Sequence, residues 1–310
     1  MNTIVSIIIP CFKRQKELNN LFLSLRRLEF SESYEIIVVD DGSKKPLVVL
    51  DNVKLIRLEK NVGPAQARNI AIEKAEGEFI WFLDSDSEID NPFLLKNLVQ
   101  HLREDKFLIG VGGEIIEINK KPYAMVPYHF PNWSFLVFHK PMDRPFTEYP
   151  KVIGSNNLLI SKKNLISVGG FSTDFDMMED NDLCLRLSNR PKSFLTNNGT
   201  CIIHHHTVNG REEGQFWFFS KIWNYVLTVH LTRVKLIHSN FPYRLLILPL
   251  LDIVFAPIVF FFQIFFIKKR SYSLFQRKTR SHSSFVTFNF LNLVAMIIAW
   301  IYGYKMLIKK

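Results

Sequence analysis

The stretch Phe79-Ile80-Trp81-Phe82-Leu83-Asp84-Ser85-Asp86 decides the fold, because five apolar residues that fit a buried strand end in two carboxylates one residue apart. Carboxylates at the carboxyl end of a parallel strand lie where open α/β sheets bind their ligands. Hard oxygen donors in that position hold Mg2+ or Mn2+ against substrate phosphates. An isolated Asp-x-Asp is more commonly an ordinary turn. The metal reading therefore depends on what the rest of the chain brings to the same edge.

Strand and helix patterns alternate on both sides of this stretch. Residues 5–10 read as a buried strand, and 16–28 show helical spacing through Leu18, Leu21, Phe22 and Leu25. Residues 34–39 and 53–58 read as further strands, and Pro64 opens a helix at its first-turn position that runs to about Ala75. Asn91-Pro92 caps and starts another helix through Leu94, Leu95, Leu98 and Leu102. The alternation predicts an α/β fold with a doubly wound, mostly parallel sheet.

Past residue 108 the pattern loosens. A glycine-containing strand at 108–118 is followed by a Pro- and aromatic-rich loop or lid at 122–150, and a segment of that length is more often functional than decorative. Residues 152–160 read as a strand, Ser161 caps a short helix ended by Gly169-Gly170, and 179–188 form a helix with Leu183, Cys184 and Leu187 inward. Residues 202–206 close the domain as a strand.

The net charge of +10 suggests nucleic acid until its distribution is considered. Residues 211–310 hold 14 Lys and Arg against three acids and 14 of the 28 Phe, which leaves 25 against 26 for residues 1–210. Basic and strongly apolar together point to a membrane surface and exclude a nucleic-acid partner. The cysteines Cys11, Cys184 and Cys201 are odd in number and widely spaced, as expected of reduced core residues in a cytosolic domain, with no zinc spacing. The N-terminus enters an apolar strand without the layout of a secretory signal.

Asp40-Asp41-Gly42-Ser43 ends the second strand at the edge where Asp84-Ser85-Asp86 ends the fourth. In a nucleotide site Asp40 or Asp41 can accept the imide N–H of uracil or thymine, while Asp84 and Asp86 serve ribose and metal. Arg68, in the first turns of the helix after Gly63-Pro64, brings a guanidinium to meet diphosphate charge.

The series Ile8-Ile9-Pro10-Cys11-Phe12, Val38-Val39-Asp40-Asp41-Gly42-Ser43, Asn61-Val62-Gly63 with Ala67-Arg68-Asn69, Asp84-Ser85-Asp86, Gly169-Gly170-Phe171 and Glu179-Asp180-Asn181-Asp182-Leu183 resembles the family 2 glycosyltransferases of the GT-A fold. The resemblance covers roughly residues 4–210. It implies a Rossmann-like nucleotide-binding half and an inverting transfer from a nucleoside-diphosphate sugar with Mg2+ or Mn2+. Pro10, Phe12, Arg14, Asp40, Asp41, Arg68, Asp84 and Ser85 then fall at the donor, and Asp86, Asp84, His204 and His206 at the metal. Asp180 is the implied general base, with Glu179 and Asp182 as competitors. Asn156 and Asn157 are expected to face the acceptor.

The C-terminal third sets this chain apart from a soluble member. Residues 211–244 read as an amphipathic aromatic connector, and the runs 245–267 and 281–304 are each long enough to span a bilayer. The loop 268–280 carries six cations and no acid, but the flanks carry six as well, so charge gives no orientation. Pro249, Asp252 and Pro257 interrupt the first run, which leaves a re-entrant or surface hairpin open. The expectation is a transferase at the cell membrane, catalytic part toward the cytoplasm, with a UDP- or dTDP-sugar as donor and a lipid-linked or nascent envelope glycan as acceptor. A polyprenyl phosphate acceptor and a non-catalytic nucleotide-sugar scaffold are the alternatives.

Overall fold

The computed structural model describes residues 3–118, 121–124, 149, 153–173, 179–188, 192–196, 199–205, 294 and 297–301. Most of the expected 122–150 lid, His206, the 211–244 connector and nearly all of the 245–310 membrane segment lie outside them. Among the described residues no helix is long and apolar enough to cross a membrane. The chain divides into two units, the first comprising Met1–Pro127, Met142–Asp174 and Glu179–Arg211. In the second, residues 297–301 are helical, with Ala299 and Trp300 buried.

In chain order the first unit runs β1 (Val5–Cys11), α1 (Gln15–Leu25), β2 (Tyr34–Asp40), β3 (Val53–Arg57), α2 (Pro64–Lys74), β4 (Phe79–Leu83), β5 (Ser87–Glu88) and α3 (Leu94–Glu104). It continues with β6 (Gly110–Gly112), β7 (Glu114–Ile118), β8 (Lys121–Ala124), β9 (Asn157–Ser161), α4 (Lys162–Ser167), α5 (Glu179–Leu187), β10 (Phe194–Leu195) and β11 (Ile202–His204). A seven-stranded sheet has the order β10-β6-β9-β4-β1-β2-β3, and a four-stranded sheet has the order β5-β11-β7-β8.

Burial on both faces explains why β1, β2 and β4 are largely apolar. Ile7, Ile9, Val38, Trp81 and Leu83 pack on one face with Leu18, Leu21 and Phe22 of α1 and Leu94, Leu95 and Leu98 of α3. Ile8, Ile37, Val39, Ile80 and Phe82 pack on the other with Ala67 and Ala71 of α2, Leu165 of α4 and Leu183 of α5. A sheet covered on both faces has no polar side, so its strands show no two-residue alternation of polarity. Each such fully buried side chain contributes roughly 1.5–3 kcal/mol.

β1 runs parallel to β2 and β4, β2 to β3, and β6 to β10. The exception is β9, antiparallel to both neighbours, so the sheet is mixed but mostly parallel. The expected strand at 108–118 divides at Gly113, whose φ is +137° and where an added Cβ would lie 2.1 Å from Thr196 Oγ1. The residues before Gly113 join the large sheet and those after it leave for the small one. The strand expected to close the domain at 202–206 belongs instead to the small sheet and ends at His204. There it pairs antiparallel with β5, His204 opposite Ser87, which sets the histidine beside the end of β4.

Candidate active site

Because β1, β2 and β4 are parallel, their carboxyl ends open on one edge. Arg14, just before α1, sits 2.9 Å from Asp86 Oδ2 through Nη1. Arg68 of α2 is buried and forked, with one nitrogen 2.7 Å from Asp84 Oδ1 and another 2.9 Å from Glu179 Oε1. Burial by itself would lower the Arg68 pKa, but the carboxylates of Asp84, Glu179 and Asp180 outweigh it and raise the pKa above its ordinary value. Phe171 lies under the guanidinium at 5.4 Å, and Arg68 Nε has no hydrogen-bond partner among the described residues.

His204 completes a cluster with the two acids. Its Nε2 is 3.0 Å from Asp86 Oδ1 and 3.7 Å from Asp84 Oδ2, and one ligand atom from each of Asp84, Asp86 and His204 lies within 4.8 Å of the others. Two carboxylate oxygens and an imidazole nitrogen form a donor set that suits Mn2+ and accepts Mg2+. Strand alternation turns His205 the other way, onto Glu88 at 2.8 Å. His206 lies outside the described residues.

The other acidic pair behaves differently. Asp40, fully buried, accepts from the backbone N–H of Ser43 at 3.0 Å and of Leu47 at 3.2 Å. Asp41 accepts from Val62 N–H at 2.7 Å and Gly63 N–H at 3.0 Å, and burial raises its pKa above the usual carboxylate value. These bonds tie the loop after β2 to the entry of α2. Gly42 makes the approach possible, since a Cβ there would lie 2.4 Å from the Lys60 carbonyl carbon. Pro10 pairs with Val39 in the sheet, Phe12 lies at the edge under Lys13 Nζ, and buried Ser85 bonds to the Cys11 thiol. Burial pushes that thiol up to about 11.

At the start of α5 the three acids have separate surroundings. Glu179 is the partner of Arg68, while half-buried Asp180 accepts from Ser155 N–H at 3.3 Å. Asp182 is buried against Arg186 at 2.7 Å, and Arg186 also donates to the carbonyls of Val168 and Gly170. Asp182 thereby joins α5 to the end of α4 and is not among the groups gathered at Arg68.

Several asparagines organise this edge in ways that spacing alone does not signal. Asn69 accepts from Phe171 N–H and donates to Phe171 C=O, both at 2.8 Å, which couples the Ala67-Arg68-Asn69 and Gly169-Gly170-Phe171 segments. Asn157, expected at the acceptor, is fully buried: its Oδ1 accepts from Trp81 Nε1, and its amide donates to the carbonyls of Gly113 and Thr200. Asn156, also expected at the acceptor, meets His204 Nδ1 at 3.2 Å.

A family model described as Glycosyl transferase family 2 matches residues 6–165. The chain belongs to that family. Its relatives include an uncharacterized glycosyltransferase of Haemophilus influenzae, 27% identical over 203 residues that make up 60% of this chain and 63% of that protein. The poly(ribitol-phosphate) beta-N-acetylglucosaminyltransferase TarS of Staphylococcus aureus is 37% identical over 120 residues, 35% of this chain and 21% of that protein. The chain thus spans less than two thirds of the length of these relatives. Among solved structures, the mannosyltransferase PcManGT from Pyrobaculum calidifontis in complex with GDP-Man and Mn2+ has a TM-score of 0.56 at 14% identity, covering 97% of this chain and 88% of that one. At that identity the likeness bears on the fold, which is of the GT-A type.

Proposed function

We propose that this family 2 member is an inverting, metal-dependent transferase that moves a sugar from a UDP- or dTDP-sugar to a hydroxyl of a lipid-linked or nascent cell-envelope glycan. The observation that carries the reading is the convergence of Asp84, Asp86 and His204 on one side of Arg68 with Glu179 and Asp180 on the other. The poly(ribitol-phosphate) activity in the name of TarS supports the acceptor class. The apolar runs and the cation-rich 268–280 loop support a seat at the cell membrane, and the proposal puts the catalytic part on its cytosolic face, where a soluble donor and a lipid-bound acceptor meet.

Asp84, Asp86 and His204 would hold Mg2+ or Mn2+, which when bound supplies counter-charge for the departing diphosphate. Arg14 and Arg68 bring further positive charge to the same edge. A single displacement with inversion requires one base opposite the leaving group and no protein nucleophile. Asp180 suits that role better than its neighbours. A proton on Glu179 would remove one of the counter-charges of buried Arg68, and Asp182 is engaged by Arg186. The Ser155 N–H holds the Asp180 carboxylate while leaving it half exposed to an incoming hydroxyl.

The test uses the full chain, separated into membrane and soluble fractions before detergent is added and then assayed for nucleoside-diphosphate release with and without a lipid-linked glycan acceptor. Release that depends on acceptor, from the membrane fraction, is the expected result. Asp180→Asn should lower kcat by on the order of 10²-fold with donor affinity little changed. An active Asp180→Asn beside a dead Glu179→Gln would move the base to Glu179. Donor binding without release under any acceptor would sink the transferase reading.

A further inference from the structure

We infer that Asn156 is a positioning residue that holds the His204 ring through Nδ1 and, by accepting a hydrogen bond there, supports Nε2 as a metal ligand. The inference rests on the reading of Asp84, Asp86 and His204 as a cation site.

The two nitrogens of His204 face different partners. Nε2 lies 3.0 Å from Asp86 Oδ1, and Nδ1 lies 3.2 Å from the Asn156 amide nitrogen. Both side chains are buried, His204 at 7% and Asn156 at 6% exposure, so the amide takes the place that water would fill at an exposed ring. With its N–H2 toward Nδ1, Asn156 donates, Nδ1 accepts, and the proton sits on Nε2, where it is donated to Asp86. That tautomer has no lone pair on Nε2 to offer a cation. For Nε2 to act as a ligand the proton must sit on Nδ1, and the neighbour there must accept.

Asparagine serves both states without a change of shape, because half a turn of its amide exchanges donor for acceptor. The surroundings hold the backbone on either side of Asn156. Asn157 is fixed by Trp81, Gly113 and Thr200, and Ser155 N–H is held by Asp180. Gly154 carries no Cβ, and one added there would lie 2.7 Å from Asn156 Oδ1. A single turn, residues 154–157, thus joins the candidate base to the cluster that would hold the cation.

The experiment compares the wild-type chain with N156D and N156L in two measurements that need no turnover. Nitrogen-15 NMR of the His204 ring reads the tautomer without metal and with Mg2+, and electron paramagnetic resonance of free Mn2+ reads affinity. In the wild type the proton is expected on Nε2 without metal and on Nδ1 with Mg2+. N156D, a fixed acceptor, should carry the proton on Nδ1 even without metal and bind Mn2+ at least as tightly as wild type. N156L should weaken Mn2+ binding by about 10-fold or more, the range seen when a hydrogen-bond partner of a ligating histidine is removed. Equal Mn2+ affinity in N156L and wild type, or an N156D ring without a proton on Nδ1, overturns the inference and leaves the cation site standing. A wild-type chain that binds no Mn2+ overturns the cation site and the inference with it. Circular dichroism and the unfolding midpoint of N156L separate a damaged fold from a lost hydrogen-bond partner, and the N156D ring tautomer supplies the deciding readout if N156L does not fold.

Discussion

Asp40-Asp41 and Asp84-Ser85-Asp86 end strands that flank β1 at one sheet edge, with nearly the same residues, yet they meet different partners. Asp40 and Asp41 accept from the backbone amides of Ser43, Leu47, Val62 and Gly63, with Arg57 as a looser side-chain partner 3.6 Å from Asp40 Oδ2. Asp84 and Asp86 meet only side chains in the bonds described above: Arg14, Arg68 and His204. An amide that loses its acceptor stays behind, buried and unsatisfied, because the backbone cannot leave. An arginine or histidine can turn aside and let another cation take its place. The difference teaches that one acidic pair is held mainly by the backbone and the other by side chains that can be exchanged.

The sharpest way to break the contrast is to remove one acid from each pair. Asp86→Ala should lower turnover by about 10³-fold, since the diphosphate loses the ligand that anchors its counter-charge, and should cost less stability than the next variant. Full activity of Asp86→Ala in EDTA would end the metal reading. Asp40→Ala strands the amides of Ser43 and Leu47, and the expected cost is about 2–4 kcal/mol in denaturant unfolding. The protein that stays folded should bind Mn2+ as the wild type does; a stable Asp40→Ala chain that had lost Mn2+ affinity would reverse the two roles.

The smallest effect falls on Cys11, which lies between the pairs: its carbonyl accepts from Asp41 N–H and its thiol bonds to Ser85. Burial raises that thiol from 9.0 to about 11 in the folded chain. A folded pKa above the unfolded one means that the associated stability is complete below pH 9 and is lost as pH rises toward 11. Cys11→Ala should therefore flatten the fall in unfolding free energy across that window by up to one proton. An unchanged slope would show that Cys11 is not held neutral there. Cys184 and Cys201, also raised by burial, contribute to the alkaline slope in the same direction.

What could be read in the sequence follows from the same distinction. A sheet covered on both faces leaves continuous apolar runs, so β1, β2 and β4 were visible, as was the edge where Asp84, Asp86 and Arg68 meet. Alternation within 202–206 separated His204 from His205 because side chains on a strand take turns by face. The break at Gly113 and the strand Ser87–Glu88 were not visible, since two or three residues carry no period. The antiparallel direction of β9 also left no trace, because an apolar run reads alike in either direction. Backbone partners were the deepest omission. Nothing in the identity of Asp40 announces that the amides of Ser43 and Leu47 will turn toward it.

The two pairs also differ in how far their partners lie along the chain. Asp40 and Asp41 find theirs within 22 residues, whereas Arg14 reaches Asp86 across 72, Arg68 reaches Glu179 across 111, and His204 reaches Asp86 across 118. On a ribosome, a chain grown only as far as residue 63 already contains every amide that Asp40 and Asp41 use. One that stops short of residue 204 has Asp86 but no histidine to set against it. Translation therefore supplies the scaffold of this edge early and its chemistry later, and no product that stops before residue 204 carries both.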